Sequence, residues 1–239
     1  MAEWTGKGKT SAGSYDLNKW LYGGYDSDII SVIYGGPGTG KTNFCLLAAV
    51  SLAKKGKKVI FMDTEGGFSV ERVKQLASED YNDVLKNILL LKPTNFSEQK
   101  KAFEELLKNL KDEVGLIVVD GMTMLYRLDF AAARDNEENG KDKDGIRKIN
   151  SELARQLRVL AEIARKRNIP VIITNQVYRW EDSLKMVGGD ILKYWGKCLI
   201  ELVNEKGKRI AYLRKHRSLP EKEIEFEIRN EGVRKRGWL

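Results

Sequence analysis

The chain has 239 residues, 42% of them apolar and 32% charged, with 42 Lys and Arg against 34 Asp and Glu for a net charge of +8. That balance suits one α/β domain with a substantial core and excludes a disordered chain. No apolar run is long enough to span a bilayer, and no apolar core follows the start Met1-Ala2-Glu3-Trp4-Thr5-Gly6-Lys7, so neither a membrane nor a signal peptide is expected.

Along the chain, residues 1–10 read as a flexible basic tail. Gly8-Lys9-Thr10 spells the end of a phosphate-binding motif, but Glu3 stands where its leading glycine belongs and no buried strand precedes it. Strands are expected over 30–34, 58–63, 88–91, 115–120 and 170–175, as the continuous apolar runs of parallel strands covered on both faces. Helices are expected between them. One covers 42–55 and stops at Gly56; a second covers 97–111, opening on Ser97 and repeating Phe103, Leu106, Leu107 and Leu110; a third covers 150–166 with Leu153, Leu157, Leu160 and Ala164 on one stripe. Residues 197–203, 208–214 and 222–229 read as hairpin strands around the turn Asn204-Glu205-Lys206-Gly207. Two segments, 131–145 and 178–189, are expected to be mobile loops. The alternation predicts a single domain over 1–239, with a mostly parallel sheet, helices on both faces and an antiparallel C-terminal extension.

The chemistry begins at Gly35-Gly36-Pro37-Gly38-Thr39-Gly40-Lys41-Thr42, which matches G-x-x-x-x-G-K-[ST] between a strand and an apolar helix. Glycines let successive backbone N–H groups curl around an anion, and the helix that follows points its positive end at it. Lys41 would reach the β and γ oxygens of ATP, and the Thr42 hydroxyl would ligate Mg2+. Asn43, in the first turn of that helix, belongs to the same site. Asp120, ending the apolar run Leu116-Ile117-Val118-Val119, is the second metal residue. Glu65, just past the strand that follows the P-loop helix, is the candidate base that orients water, whereas Asp63 is still within the strand and is expected to be structural. Cys45 and Cys198 form no CxxC pair and neither neighbours the only histidine, His216, so they are expected to be buried, reduced thiols. The basic excess favours a polyanionic partner, although charge-rich thermophile proteins share it.

Together, Gly35–Thr42, Asp63-Thr64-Glu65-Gly66-Gly67-Phe68 with Glu71-Arg72, Val119-Asp120, Thr174-Asn175-Gln176-Val177 and Gly188-Gly189 resemble the RecA/RadA recombinase ATPase core. Within that family the chain is most similar to the short archaeal paralogues of RadA, over nearly its whole length. The resemblance implies that Glu65 is the catalytic base, that Arg72 lies against adenine, and that Gln176 senses the γ-phosphate. It places DNA, single-stranded by preference, against 121–145 and 178–189, where Arg127, Arg179, Trp180 and Lys185 offer cations and a stacking surface. Lys215 and Arg217 would contact either a neighbouring subunit's nucleotide or DNA phosphates, and His216 reads as a local hydrogen-bonding residue.

The departures from the family matter as much. The stretch ahead of Gly35 leaves no room for an N-terminal helical DNA-binding domain and holds no Phe-x-x-Ala motif. Gly121 stands where recombinases usually carry Ser, and Tyr194 where they place a histidine that couples ATP to DNA. The resemblance therefore implies a cytoplasmic, nucleoid-associated accessory protein with a weak, DNA-independent ATPase. Its implied partners are DNA, the RadA recombinase and a Holliday-junction nuclease. The alternatives are a filament-forming strand-exchange recombinase and a clock or signalling ATPase without a DNA role.

Overall fold

The computed structural model describes residues 8–139, 144–180 and 183–237. The chain opens with β1 (Lys9–Thr10), α1 (Tyr15–Trp20), β2 (Tyr25–Asp26), β3 (Ile30–Gly35) and α2 (Lys41–Ala53). There follow β4 (Lys58–Asp63), α3 (Val70–Ala77), α4 (Tyr81–Lys86), β5 (Ile88–Leu91), α5 (Phe96–Lys108) and β6 (Val114–Asp120). Then come α6 (Met124–Glu138), α7 (Gly145–Arg167), β7 (Val171–Trp180), β8 (Ser183–Met186) and α8 (Gly189–Trp195), and finally β9 (Gly196–Glu205), β10 (Lys208–His216), β11 (Lys222–Arg229) and β12 (Gly232–Lys235).

The main sheet runs β12-β11-β10-β9-β3-β7-β6-β4-β5, with β8 folded back on β7. From β9 to β5 the pairs are parallel, and β10, β11 and β12 add antiparallel. The apolar strands bury both faces, because alternate side chains enter opposite cores. Ile33, Phe61, Leu116, Val118 and Ile172 pack with α1 to α4, while Val32, Met62, Ile117, Val119 and Ile173 pack with α5 to α8. This is the expected fold class: a mostly parallel sheet, helices on both faces, and an antiparallel extension. Cys45 and Cys198 are buried and free. No helix among the described residues is long and apolar enough to cross a membrane.

Local chemistry explains where the observed elements differ from expectation. Helix α5 starts before Ser97 because Asn95 caps it, accepting from Glu98 N at 2.9 Å, while the Glu98 carboxylate reaches back to Thr94 N at 2.8 Å. Of the segment 131–145, the residues through Glu138 and Gly145 are helical, while 140–143 lie outside the described residues. Ala131, Ala132 and Ala133 favour helix, Arg134 pairs with Glu138 one turn on, and Tyr126 Oη donates to Asn150 of α7. Within 178–189, residues 178–180 of β7 pair with 183–185 of β8 and the chain enters α8 through Gly188, while 181–182 lie outside the described residues. At the N-terminus, the expected tail is fixed from Gly8 onward. Lys9 and Thr10 pair with Asp26 and Tyr25, and Lys9 Nζ lies 2.8 Å from Asp26 Oδ1; residues 1–7 lie outside the described residues.

Candidate nucleotide-binding site

The carboxyl edge of the parallel sheet carries the ends of β3, β4, β6 and β7, and so brings Gly35, Asp63, Asp120 and Gln176 together from separated parts of the chain. The loop 35–40 leaves β3 under tight constraint. A Cβ on Gly35 would lie 2.1 Å from the Leu202 carbonyl oxygen of β9, so a larger residue would force the loop off the sheet. Gly40, with φ +110°, begins α2 without a side-chain cap, leaving the helix's first N–H groups directed into the loop. Thr39 Oγ1 closes the loop by donating to Gly36 O at 2.9 Å. A Cβ at Gly36 or Gly38 would meet nothing within 4 Å, so the rim of the loop, Pro37 included, is open.

Lys41 is 6% exposed, and its ammonium donates to Gly35 O at 3.0 Å, Gly36 O at 2.9 Å and Gln176 Oε1 at 3.4 Å. Burial lowers its pKa, against the opposing pull of Glu65 and Asp120. A buried cation whose hydrogen-bond partners are neutral oxygens is under-compensated, and an anion seated in the loop would complete it.

Beside it, Thr42 Oγ1 donates to Asp120 Oδ2 at 2.7 Å, and Thr174 Oγ1 donates to Asp120 Oδ1 at 2.6 Å. Burial pushes the Asp120 carboxyl above its ordinary pKa, although both hydroxyls stabilise its charge. Among the described residues no group of three or more His, Cys, Asp or Glu could hold a metal. A hydroxyl and one carboxylate suit Mg2+, which keeps several waters and uses few protein oxygens.

Asp63 ends β4, and Glu65 follows it in the turn. Asp63 is structural, accepting from Glu65 N at 3.2 Å, Gly67 N at 3.0 Å and Phe68 N at 2.9 Å. Glu65 is exposed, and its Oε2 accepts from Gln176 Nε2 at 2.9 Å. Gly121 makes room for it: a Cβ there would lie 2.6 Å from Glu65 Cγ and 2.4 Å from Thr64 Oγ1. Gln176 thus joins Lys41 on one side to Glu65 on the other.

Arg72, in the first turn of α3, lies against the first turn of α2. Its Nε donates to Asn43 Oδ1 at 2.8 Å and its Nη1 to Asn230 O, in the β11–β12 turn, at 3.0 Å. The remaining Nη2 is buried without a partner among the described residues. Arg127 lies exposed on α6 and Lys185 exposed on β8; Arg179 and Trp180 lie at the end of β7, and their side chains fall outside what the structure describes. Lys215 and Arg217 lie at the opposite, amino edge of the sheet. Lys215 donates to Lys193 O and Gly196 O, both at 2.9 Å, closing the end of α8, and Arg217 binds Asp26 at 2.9 Å and Asp28 at 2.6 Å. His216 Nδ1 accepts from Ser218 N at 3.2 Å, a local role as expected.

Sequence reasoning missed two supports. Phe226 and Ile228 of β11 lie under Gly40, 3.7 and 3.1 Å from where its Cβ would be, and Asn230 engages Arg72. No local pattern marks these residues, because they reach the site only through the antiparallel extension.

This fold and site define a P-loop domain of the RecA type. The Rad51 family model matches residues 9–236. The DNA repair and recombination protein RadB of Methanobrevibacter smithii is 39% identical over 228 residues, spanning 91% of this chain and 92% of that protein. RadB of Methanocaldococcus jannaschii is 38% identical over 91% of this chain and 98% of its own length, and that of Methanococcoides burtonii 40% over 91% and 94%. A crystal structure described as the RadB recombinase superposes with TM-score 0.75 at 36% identity, covering 93% of this chain and 97% of the other. The chain belongs to the Rad51 family, among its RadB members.

Proposed function

We propose that this chain is an ATP- and DNA-binding accessory protein of homologous recombination and DNA repair, hydrolysing ATP slowly and assisting a RadA recombinase without exchanging strands itself. The observation that carries the nucleotide half is the buried, under-compensated Lys41 inside an open glycine loop at an uncapped helix start. In this reading the amides of 35–42 and Lys41 hold the phosphates, and Asn43 with Arg72 flanks the base. Thr42 and Asp120 hold Mg2+, which when bound neutralises charge on the phosphate oxygens. Glu65 orients the attacking water, and Gln176 relays the state of the phosphate site to β7.

Three features support low turnover with little response to DNA. Glu65 is tied to Gln176, and Lys41 to loop carbonyls, so both must be released before reaction. Tyr194, where related recombinases place the coupling histidine, is 70% exposed. Lys215 and Arg217 are committed within the chain, so a phosphate contact across a subunit boundary would require breaking those bonds. The net charge of +8, with Arg127 and Lys185 on α6 and β8, supports DNA contact at that end of the molecule. A Holliday-junction nuclease is a further candidate partner.

Calorimetry with ATP and Mg2+ tests the core of this proposal. The parent chain should take up one nucleotide, and Lys41→Ala should weaken uptake by roughly a hundredfold or more, as expected for a buried charge contact to phosphate. Turnover should change less than about twofold on adding single-stranded DNA, and DNA affinity should fall steeply with salt. Absence of nucleotide uptake by the parent chain would refute the reading.

A further inference from the structure

Three consecutive residues of β7 reach three different parts of the molecule. Thr174 Oγ1 donates to Asp120 and accepts from Gly121 N at 2.7 Å, and Gln176 bridges Lys41 and Glu65. Asn175, between them, projects to the other face of the strand and is fully buried. Its Oδ1 accepts from the Thr123 hydroxyl, and its Nδ2 donates to Val187 O at 2.9 Å.

Both partners sit at roots of larger elements. Thr123 is the N-cap residue of α6, and Val187 directly follows β8. An N-cap threonine ordinarily gives its side-chain oxygen to the helix's own first amides. Thr123 makes no such bond and turns its hydroxyl to Asn175 instead. The ground on either side of this bridge is already fixed: Met122 N donates to Thr174 O at 3.0 Å, Met122 O accepts from Gln99 Nε2 at 3.3 Å, and Val187 N donates to Gln176 O at 3.2 Å. Asn175 therefore joins the start of α6 to the return of the hairpin through its two amide atoms.

We propose that Asn175 is a positioning residue that locks the β7–β8 hairpin to the first turn of α6, so that the two elements meet a nucleic-acid strand at a fixed spacing. The nucleic-acid part rests on the reading of these elements as DNA-facing. The lock itself does not. Because Thr174 and Gln176 flank it on the same strand, a change at the phosphate site reaches both elements through one stretch of backbone.

Hydrogen exchange on the full chain, with an oligonucleotide titration alongside, tests this. Asn175→Ala should speed exchange about tenfold or more in the first turn of α6 and in β8, while amides of 35–42 keep the parent rate. Its affinity for ATP should stay within about twofold, and its affinity for a single-stranded oligonucleotide should fall about tenfold. Two further variants separate the arms of the lock. Thr123→Val should loosen α6 alone, and Asn175→Asp, which keeps the acceptor for Thr123 but loses the donor to Val187, should loosen β8 alone. A residue that merely fills space would loosen both together in every variant. Parent-like exchange in Asn175→Ala, or the same pattern from Thr123→Val and Asn175→Asp, would overturn the proposal. If Asn175→Ala fails to fold, those two variants still decide it. If the parent chain takes up no oligonucleotide, the DNA-facing reading fails while the exchange arms continue to judge the lock.

Discussion

Asp63 and Glu65 stand two residues apart and do opposite work, because one stays in the strand and the other leaves it. Asp63 is 2% exposed and satisfies three amides of the turn that carries Glu65. Removing its carboxylate would strand those donors, so Asp63→Ala should cost roughly 3 kcal/mol and lower Tm by about 6–12 °C. Calorimetric melting checks the value. Glu65 can be changed without that penalty, since it is exposed and its carboxylate accepts from Gln176 at the surface. Glu65→Gln should keep ATP affinity and lower turnover by about 10²–10⁴-fold, the usual range for a lost general base. Turnover at the parent rate would remove Glu65 from that role.

Among elements, the join between the β1–β2 hairpin and the end of β10 concentrates charge at the sheet's amino edge. Asp26, 4% exposed, is shared by Lys9, Arg217 and His216. Burial holds the His216 pKa below its ordinary value; Asp26 opposes this, while Lys9, Arg217 and Lys222 reinforce it. The folded protein thus binds that proton less readily than the unfolded chain does. Its contribution to stability is full above the unfolded histidine pKa of about 6.5 and is lost as pH falls below it toward the lower folded value. Melting curves between neutral and mildly acidic pH should show this decline, and His216→Gln should flatten it. An unchanged slope in the variant would assign the decline to other groups.

Across the whole molecule, the antiparallel extension is a floor for the phosphate loop. Phe226 is 1% exposed, stacks edge-on with Phe44 of α2 at 5.1 Å between centroids, and lies beneath Gly40. Phe226→Ala should cost about 4 kcal/mol through lost burial and the cavity left behind, lowering Tm by about 10 °C. Because that cavity opens under the loop, ATP affinity should also fall. A melt displaced with unchanged ATP affinity would separate the floor from the site.

The parts of the site legible in the sequence are those whose physics is local. Gly35 to Thr42 specify a loop and a helix start in contiguous residues, the unbroken apolar run before Asp120 marks a strand buried on both faces, and Glu65 follows such a strand at the edge where loops emerge. The helix over 131–138 escaped notice because polar composition says little once alanines, a one-turn ion pair and contact with α7 combine. Lys9 reads as tail and Arg217 as a free cation because the sequence does not show that Asp26 and Asp28 will face them. The amino-acid order thus determined the glycine loop, the Thr42 and Asp120 positions beside it and the class of fold. Tertiary structure alone decided which charges are spent inside the chain, what supports the loop from below, and how Asn175 ties α6 to the hairpin, since each depends on groups far apart in sequence meeting only once the sheet has formed.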